Sequence, residues 1–233
     1  MRRKKSDFNF WPSFTDLMVA LILMLFMFVA SYVFITKNLA DLGEIREKQD
    51  ELIKSVKIAL HAEIEEKEKD SIYIIRPNNI LDDEITFLNG LDTQTIRFST
   101  HILFEKNNHT LKSRGIDILD KIGEQLKKNI QSIKRIQIEG HADTDPTKDI
   151  KYNGSNLVLA AYRAIEVYEH LRTVAGINPV SKLMSATSFG EYKPINREDD
   201  DVNFTENELN DANNNENLKS KNRRIELLLF YKK

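Results

Sequence analysis

The chain has 233 residues, 41% of them hydrophobic and 30% charged, with a formal net charge of -2 and no cysteine. A balance this close to neutral supplies no basic field for nucleic acid, and the missing cysteines exclude disulfide staples and thiolate metal sites. The length suits one membrane helix plus one soluble domain of ordinary size.

Residues 1–11 form a basic tail that opens Met1-Arg2-Arg3-Lys4-Lys5. Residues 12–36 read as a transmembrane helix, since Leu17 to Ile35 holds no charge and only Ser31 and Tyr32 are polar. As a helix this stretch is about 37 Å long at roughly 1.5 Å per residue, enough to cross a bilayer. Pro12 suits a first helical turn, where its missing N–H costs nothing. The positive-inside rule puts the N-terminus in the cytoplasm and everything after about residue 36 outside. A cleaved signal peptide is the rival reading, but the apolar run is long for that role and no small-x-small site follows cleanly.

Asp16 is the anomaly in this helix. A carboxylate within a membrane span is expensive and marks a functional site by default. The plainer alternative is an N-terminal helix carboxylate, favoured by the helix dipole and reaching back to the interface.

Residues 37–70 are rich in Glu, Lys and Asp and read as a helical linker. A heptad runs through Leu42, Ile45, Gln49, Leu52, Val56 and Ala59 and fails at Glu63, which suits a solvated spacer or a parallel dimer stalk.

Residues 71–233 read as one soluble domain. Ser71–Arg76 is an expected strand, stopped by Pro77-Asn78-Asn79, and Asn89-Gly90 an expected turn. Thr95–Phe104 alternates loosely, Leu111–Ile130 is an amphipathic helix, and Ile133–Glu139 is a strand running into Gly140. Ser155–Thr173 is a second helix, Leu183–Phe189 a short strand and Arg224–Tyr231 a last strand. Strands alternating with helices of this length predict an α+β chain, with helices packed on a small mixed sheet as an α/β sandwich. Residues 196–217 are acidic and Asn-rich without a hydrophobic period, and are expected to form a mobile surface insertion. Calcium is conceivable there, although EF-hand spacing is absent.

Two separated motifs carry the chemistry of the domain. The string from Ile136 through Glu139-Gly140-His141-Ala142-Asp143 to Arg163-Ala164, together with the closing Asn222-Arg223-Arg224-Ile225-Glu226, resembles the OmpA-like peptidoglycan-binding domain over roughly residues 95–233. The resemblance implies a pocket for the peptide stem of peptidoglycan. Asp143 and Arg163 would hold the charged ends of its diamino acid, Asn156 would position the pocket wall, and Arg223 and Arg224 would add to it. The chemistry agrees: a zwitterion needs a carboxylate for its ammonium and a guanidinium fork for its carboxylate. Asn156 and Arg163, seven residues apart, share one helix face. Ala160 stands where the family often has serine, and Asp145-Pro146 replaces its usual glycine. Both departures bear on the loop conformation more than on the ligand class.

His141, Asp143 and Asp145 could instead be read as metal ligands, but His61, His101, His109 and His170 are scattered and complete no site. No Gly-x-Ser-x-Gly is present. Neither an enzyme nor a cofactor is expected.

One membrane helix with an aspartate near its cytoplasmic end, a stalk and a wall-binding domain together resemble the MotB-type B subunits of ion-driven stators. That resemblance implies Asp16 as ion carrier, with a proton as the first choice and sodium left open. It also implies a homodimer inside a ring of polytopic subunits of the MotA or ZorA type, and an inner-membrane protein with a periplasmic C-terminal domain. The form Pro12-Ser13-Phe14-Thr15-Asp16-Leu17-Met18 is similar to the B subunits (ZorB) of Zorya anti-phage defence. The alternatives are a passive peptidoglycan tether, a flagellar-type stator subunit, and a wall-modifying enzyme using His141.

Overall fold

The computed structural model describes residues 11–68, 71–77, 84–147, 150–198 and 200–232. The basic tail of residues 1–10, the expected turn residues Asn78 and Asn79, and Asp199 of the acidic segment lie outside them. The chain divides into two units, Met1–Glu44 and Ile45–Lys233, and one helix of 49 residues, α1 (Trp11–Ala59), contributes to both.

In the first unit the helix is apolar all round. Leu17, Leu21, Leu25, Phe28 and Phe34 are exposed, and the best window reaches a mean hydropathy of 2.7. Among the described residues this is the one helix long and apolar enough to cross a membrane by length and composition. The chain is already helical at Trp11, which places Asp16 in the second turn. A cap residue needs non-helical backbone, and the dipole's influence fades within the first turn. Asp16 therefore lies within the helix rather than at its N-cap.

The second unit is built on a seven-stranded sheet of order β1-β2-β3-β4-β7-β5-β6. Its strands are β1 (Glu63–Glu68), β2 (Ile72–Arg76), β3 (Ile85–Asn89), β4 (Thr93–Ser99), β5 (Ile133–His141), β6 (Leu183–Gly190) and β7 (Arg224–Tyr231). The β5–β6 pair is parallel and the others antiparallel. After β4 come the helices α2 (Thr100–Leu103), α3 (Ser113–Lys128) and α4 (Asn156–Thr173), and, after β6, α5 (Glu206–Asp211) and α6 (Glu216–Asn222), which leads into β7. The expected strand through Phe104 is thus cut short at Ser99, where the chain turns helical.

The expected helical linker to residue 70 ends instead at Ala59, and Glu63–Glu68 pairs with β2 as an edge strand. Its exposed glutamates guard that edge against pairing with other chains. Ile45, Leu52, Ile53, Val56 and Leu60 lie in the same buried core as Ile85, Phe87, Ile96 and Phe98. Each such side chain contributes about 1.5–3 kcal/mol by leaving water. The stripe that reads as a dimer seam is therefore covered, from Ile45 onward, by the chain's own core. Gln49, the polar member of that heptad, is fully buried for a related reason. Its amide donates to the carbonyls of Gly90 (3.0 Å) and Thr93 (2.9 Å), bracing the β3–β4 turn.

The β5–α4 contact sets the site. Ser155 caps α4 by accepting from the Val158 amide at 3.4 Å. Gly140 lets β5 approach α4 closely, since a Cβ there would meet the Ala160 carbonyl oxygen at 2.1 Å.

The acidic segment expected to be mobile carries two capped helices. Thr205 and Glu208 form a capping box on α5, and Asn215 caps α6 through the Leu218 amide. Buried Asn222 then ties the segment down. Its amide donates to the Ala212 carbonyl and Asn213 Oδ1, each at 2.9 Å, and its Oδ1 accepts from the Ile195 amide at 2.9 Å.

Candidate ligand-binding site

Beyond His141 the chain leaves the sheet through Ala142 and Asp143. Asp143 is 5% exposed and sits in a cleft of about 640 Å³ that Asn156, Arg163, Phe104, Glu216 and Arg223 also line. The Asp145 amide donates to Asp143 Oδ1 at 3.3 Å. The bond closes a local turn built on an aspartate side chain, in the stretch that carries Asp145-Pro146. Asn156, in the first turn of α4, donates from Nδ2 to the Asp143 backbone carbonyl at 3.0 Å and fixes where the carboxylate stands.

Arg163 is 6% exposed. Its Nε donates to the Asn108 carbonyl at 2.9 Å, and the guanidinium lies over the Phe104 ring with 5.5 Å to the centroid. With Nε committed, the two terminal nitrogens are what this residue offers to the cleft. Burial pushes its pKa down to about 10, against the pull of Tyr152 and Asp143, so it stays charged at neutral pH. A carboxylate and a desolvated guanidinium lining one cleft suit a zwitterion, as the sequence pattern implied.

Arg223 joins them by bridging: one terminal nitrogen donates to Asp143 Oδ2, the other to Glu216 Oε1. Burial alone would lower its pKa, but the bonds to Glu216 and Asp143 outweigh that and raise it. Lys219 pairs with Asp145 Oδ1 at 2.5 Å. Glu216 and Lys219 were absent from the residues picked out by sequence. The signal was available: Glu216, Lys219 and Arg223 stand at i, i+3 and i+7, one face of a helix that starts at the end of the segment marked as loop.

Arg224 is not part of the cleft. It is 3% exposed and donates through Nε to Glu226 Oε1 at 2.7 Å, and Arg97 from the paired strand β4 meets the same oxygen at 2.7 Å. Burial would raise the Glu226 pKa, yet Arg224 and Arg97 hold it down at about 2. Arg224 is thus a buried structural cation.

The histidine also lies elsewhere than the metal reading requires. His141 is fully buried, stacks on Phe189 with 5.5 Å between ring centroids, and turns Nε2 to Glu139 (3.5 Å) and Glu226 (4.0 Å) rather than to the aspartates. The ligand-type atoms of Glu139, His141 and Glu226 fall within 4.8 Å of one another. However, Arg97, Arg224 and Lys193 already neutralise the two carboxylates. A divalent ion would enter among like charges, so this donor set does not suit one.

Comparison with known proteins follows the same lines. Residues 103–208 match the model of the OmpA family. No curated protein sequence matches the chain. A MotB-like protein from Desulfovibrio vulgaris superposes with a TM-score of 0.59 at 18% identity, covering 82% of this chain and 99% of that one. The cell wall anchor of the T6SS from Pseudomonas aeruginosa gives 0.51 at 20% identity, over 64% of this chain and 88% of its own. The periplasmic domain of Helicobacter pylori MotB gives 0.51 at 20% identity, over 66% and 87%. At these identities the likeness is one of fold: the second unit contains an OmpA-like domain, structurally similar to MotB-like periplasmic domains.

Proposed function

We propose that this chain is a single-pass inner-membrane protein whose periplasmic domain grips the peptide stem of peptidoglycan, and that it serves as the B subunit of an ion-driven stator. The observation that carries the reading is the presence, in one chain, of Asp16 in the interior of a membrane-length helix and of the cleft that Asp143 and Arg163 line. The cleft supports recognition of a zwitterionic diamino acid, with Asp143 for the ammonium and Arg163 for the carboxylate. Asp16 supports ion handling, because ionisable groups inside membrane helices mark ion pathways by default.

Two copies would stand within a ring of polytopic subunits. They would meet along α1 before Ile45, since the later apolar stripe is covered by the domain core. The protein works without chemistry of its own and without a cofactor. The Pro12-Ser13-Phe14-Thr15-Asp16 sequence favours a Zorya-type stator, in which ion flow would drive a defence output against phage.

The anchoring half is tested by sedimentation with purified cell-wall sacculi, using the full chain in detergent. The wild type should pellet with sacculi, and Arg163→Ala should stay in solution with its circular dichroism unchanged. Equal pelleting of the two would sink the assignment of the cleft.

A further inference from the structure

Arg163 is aimed by a loop that lies outside the two motifs that carry the chemistry of the domain. Residues 105–110 leave and rejoin the fold through a bridge between Phe104 and Leu111. The loop is tight: Glu105 and Thr110 are joined backbone to backbone at 3.2 Å, and Asn107 adopts a positive φ of 55°. Its tip is Asn108, whose backbone carbonyl accepts the Arg163 Nε bond.

Asn108 is in turn held by its side chain. Oδ1 accepts from the His109 amide at 2.8 Å, from the Thr110 amide and hydroxyl at 3.3 Å each, and from the Tyr152 hydroxyl at 3.3 Å. Tyr152 is fully buried and stands on the 3-10 turn (Ile150–Tyr152) just before α4. His109 Nδ1 lies 2.8 Å from the same hydroxyl, and the His109 ring stacks on Tyr162, the neighbour of Arg163, at 5.1 Å.

The hydroxyl has one proton, and both His109 Nδ1 and Asn108 Oδ1 lie within bonding distance of it. All three groups are served when His109 Nδ1 donates to the hydroxyl and the hydroxyl donates on to Asn108. The buried ring of Tyr152 thereby links the segment ahead of α4 to the loop tip, and the loop tip to the guanidinium on α4.

We infer that Tyr152 and Asn108 are positioning residues that set the aim of Arg163, and so the preference of the cleft for a free carboxylate on its ligand. The inference rests on the wall-binding reading of the cleft. Tyr152 does not line the cleft, so it acts only through Arg163.

The test is calorimetric titration of the full chain in detergent with two probes. One is a stem tripeptide ending in meso-diaminopimelate, and the other is the same peptide with the carboxylate beside the side-chain ammonium converted to an amide. The wild type should prefer the free acid by about tenfold, the worth of one charge-assisted hydrogen bond. Tyr152→Phe keeps the ring and removes the hydroxyl. It should weaken the free acid by about tenfold and the amide by less than about twofold, which abolishes the preference. Asn108→Ala keeps the carbonyl but frees the loop, at a half-buried position that tolerates truncation, and should do the same. It decides the matter if Tyr152→Phe fails to fold. Equal losses for both probes, or no loss for either, would overturn the inference while leaving wall binding intact. A wild type that binds neither probe would overturn the wall reading itself, and the inference with it.

Discussion

Asn156 holds Asp143 by its main chain rather than by its carboxylate, through the 3.0 Å bond from Nδ2 to the Asp143 carbonyl. The side chain of Asp143 is thereby left to the Asp145 amide, to Arg223 and to a ligand. Asn156→Ala would strand a buried carbonyl, costing about 1–3 kcal/mol of stability, measurable by urea denaturation. It should also weaken sacculus binding, because the aspartate loses its fixed position. A variant with unchanged stability and unchanged binding would show that the bond positions nothing.

Arg223 and Arg224 should separate cleanly in mutagenesis. Arg224→Ala breaks a buried ion pair and leaves Glu226 with Arg97 as its remaining guanidinium partner, for a loss of up to about 3–5 kcal/mol. What remains folded should bind sacculi normally. Arg223 is about a third exposed, so solvent screening limits the stability lost in Arg223→Ala to about 1 kcal/mol or less. That variant should instead weaken sacculus binding. Denaturation curves and sedimentation on the same two proteins check the pair.

The domain should lose stability in acid, in two stages. Burial, with Arg224 beside it, lowers the His141 pKa below its ordinary 6.5, although Glu139 and Glu226 pull the other way. Below pH 6.5 the unfolded chain therefore binds the proton that the folded chain refuses, and stability falls with pH. Glu226 is held at about 2 against an ordinary 4.5, so its contribution is present above pH 4.5 and is lost as pH drops towards 2. Urea midpoints measured from pH 7.5 down to pH 3 should decline monotonically, with His141→Phe flattening the first stage. A midpoint that rises below pH 6.5 would contradict the assignment of His141 as a buried neutral ring.

Much of this was legible in residue order. The spacing of Asn156 and Arg163 placed both on one helix face, and β7 spans the expected Arg224–Tyr231. Elsewhere tertiary contacts overrode local pattern. Gln49 read as one position of a coiled-coil heptad and is a brace on the β3–β4 turn. The Glu63–Glu68 run has weak strand propensity and is a strand because β2 offers it a partner. The Asn-rich segment showed no period because its helices are too short to display one, and Asn222, which pins it, acts through bonds to residues 9 and 10 positions away in sequence. The role of Asn108 was hidden for a simpler reason: its backbone carbonyl does the work, and every residue type has one.

The most direct test concerns Asp16. Asn at this position keeps the size and hydrogen-bonding capacity of the side chain but cannot take up or release a charge near neutral pH. The measurement is ion entry into cells that express the chain together with its polytopic partner subunit, comparing wild type with Asp16→Asn at equal protein levels. Ion entry and the downstream output should vanish in the variant, while membrane insertion, partner association and sedimentation with the cell wall persist. Undiminished ion entry and output from a normally abundant Asp16→Asn protein would contradict the stator reading and leave a passive wall tether in its place.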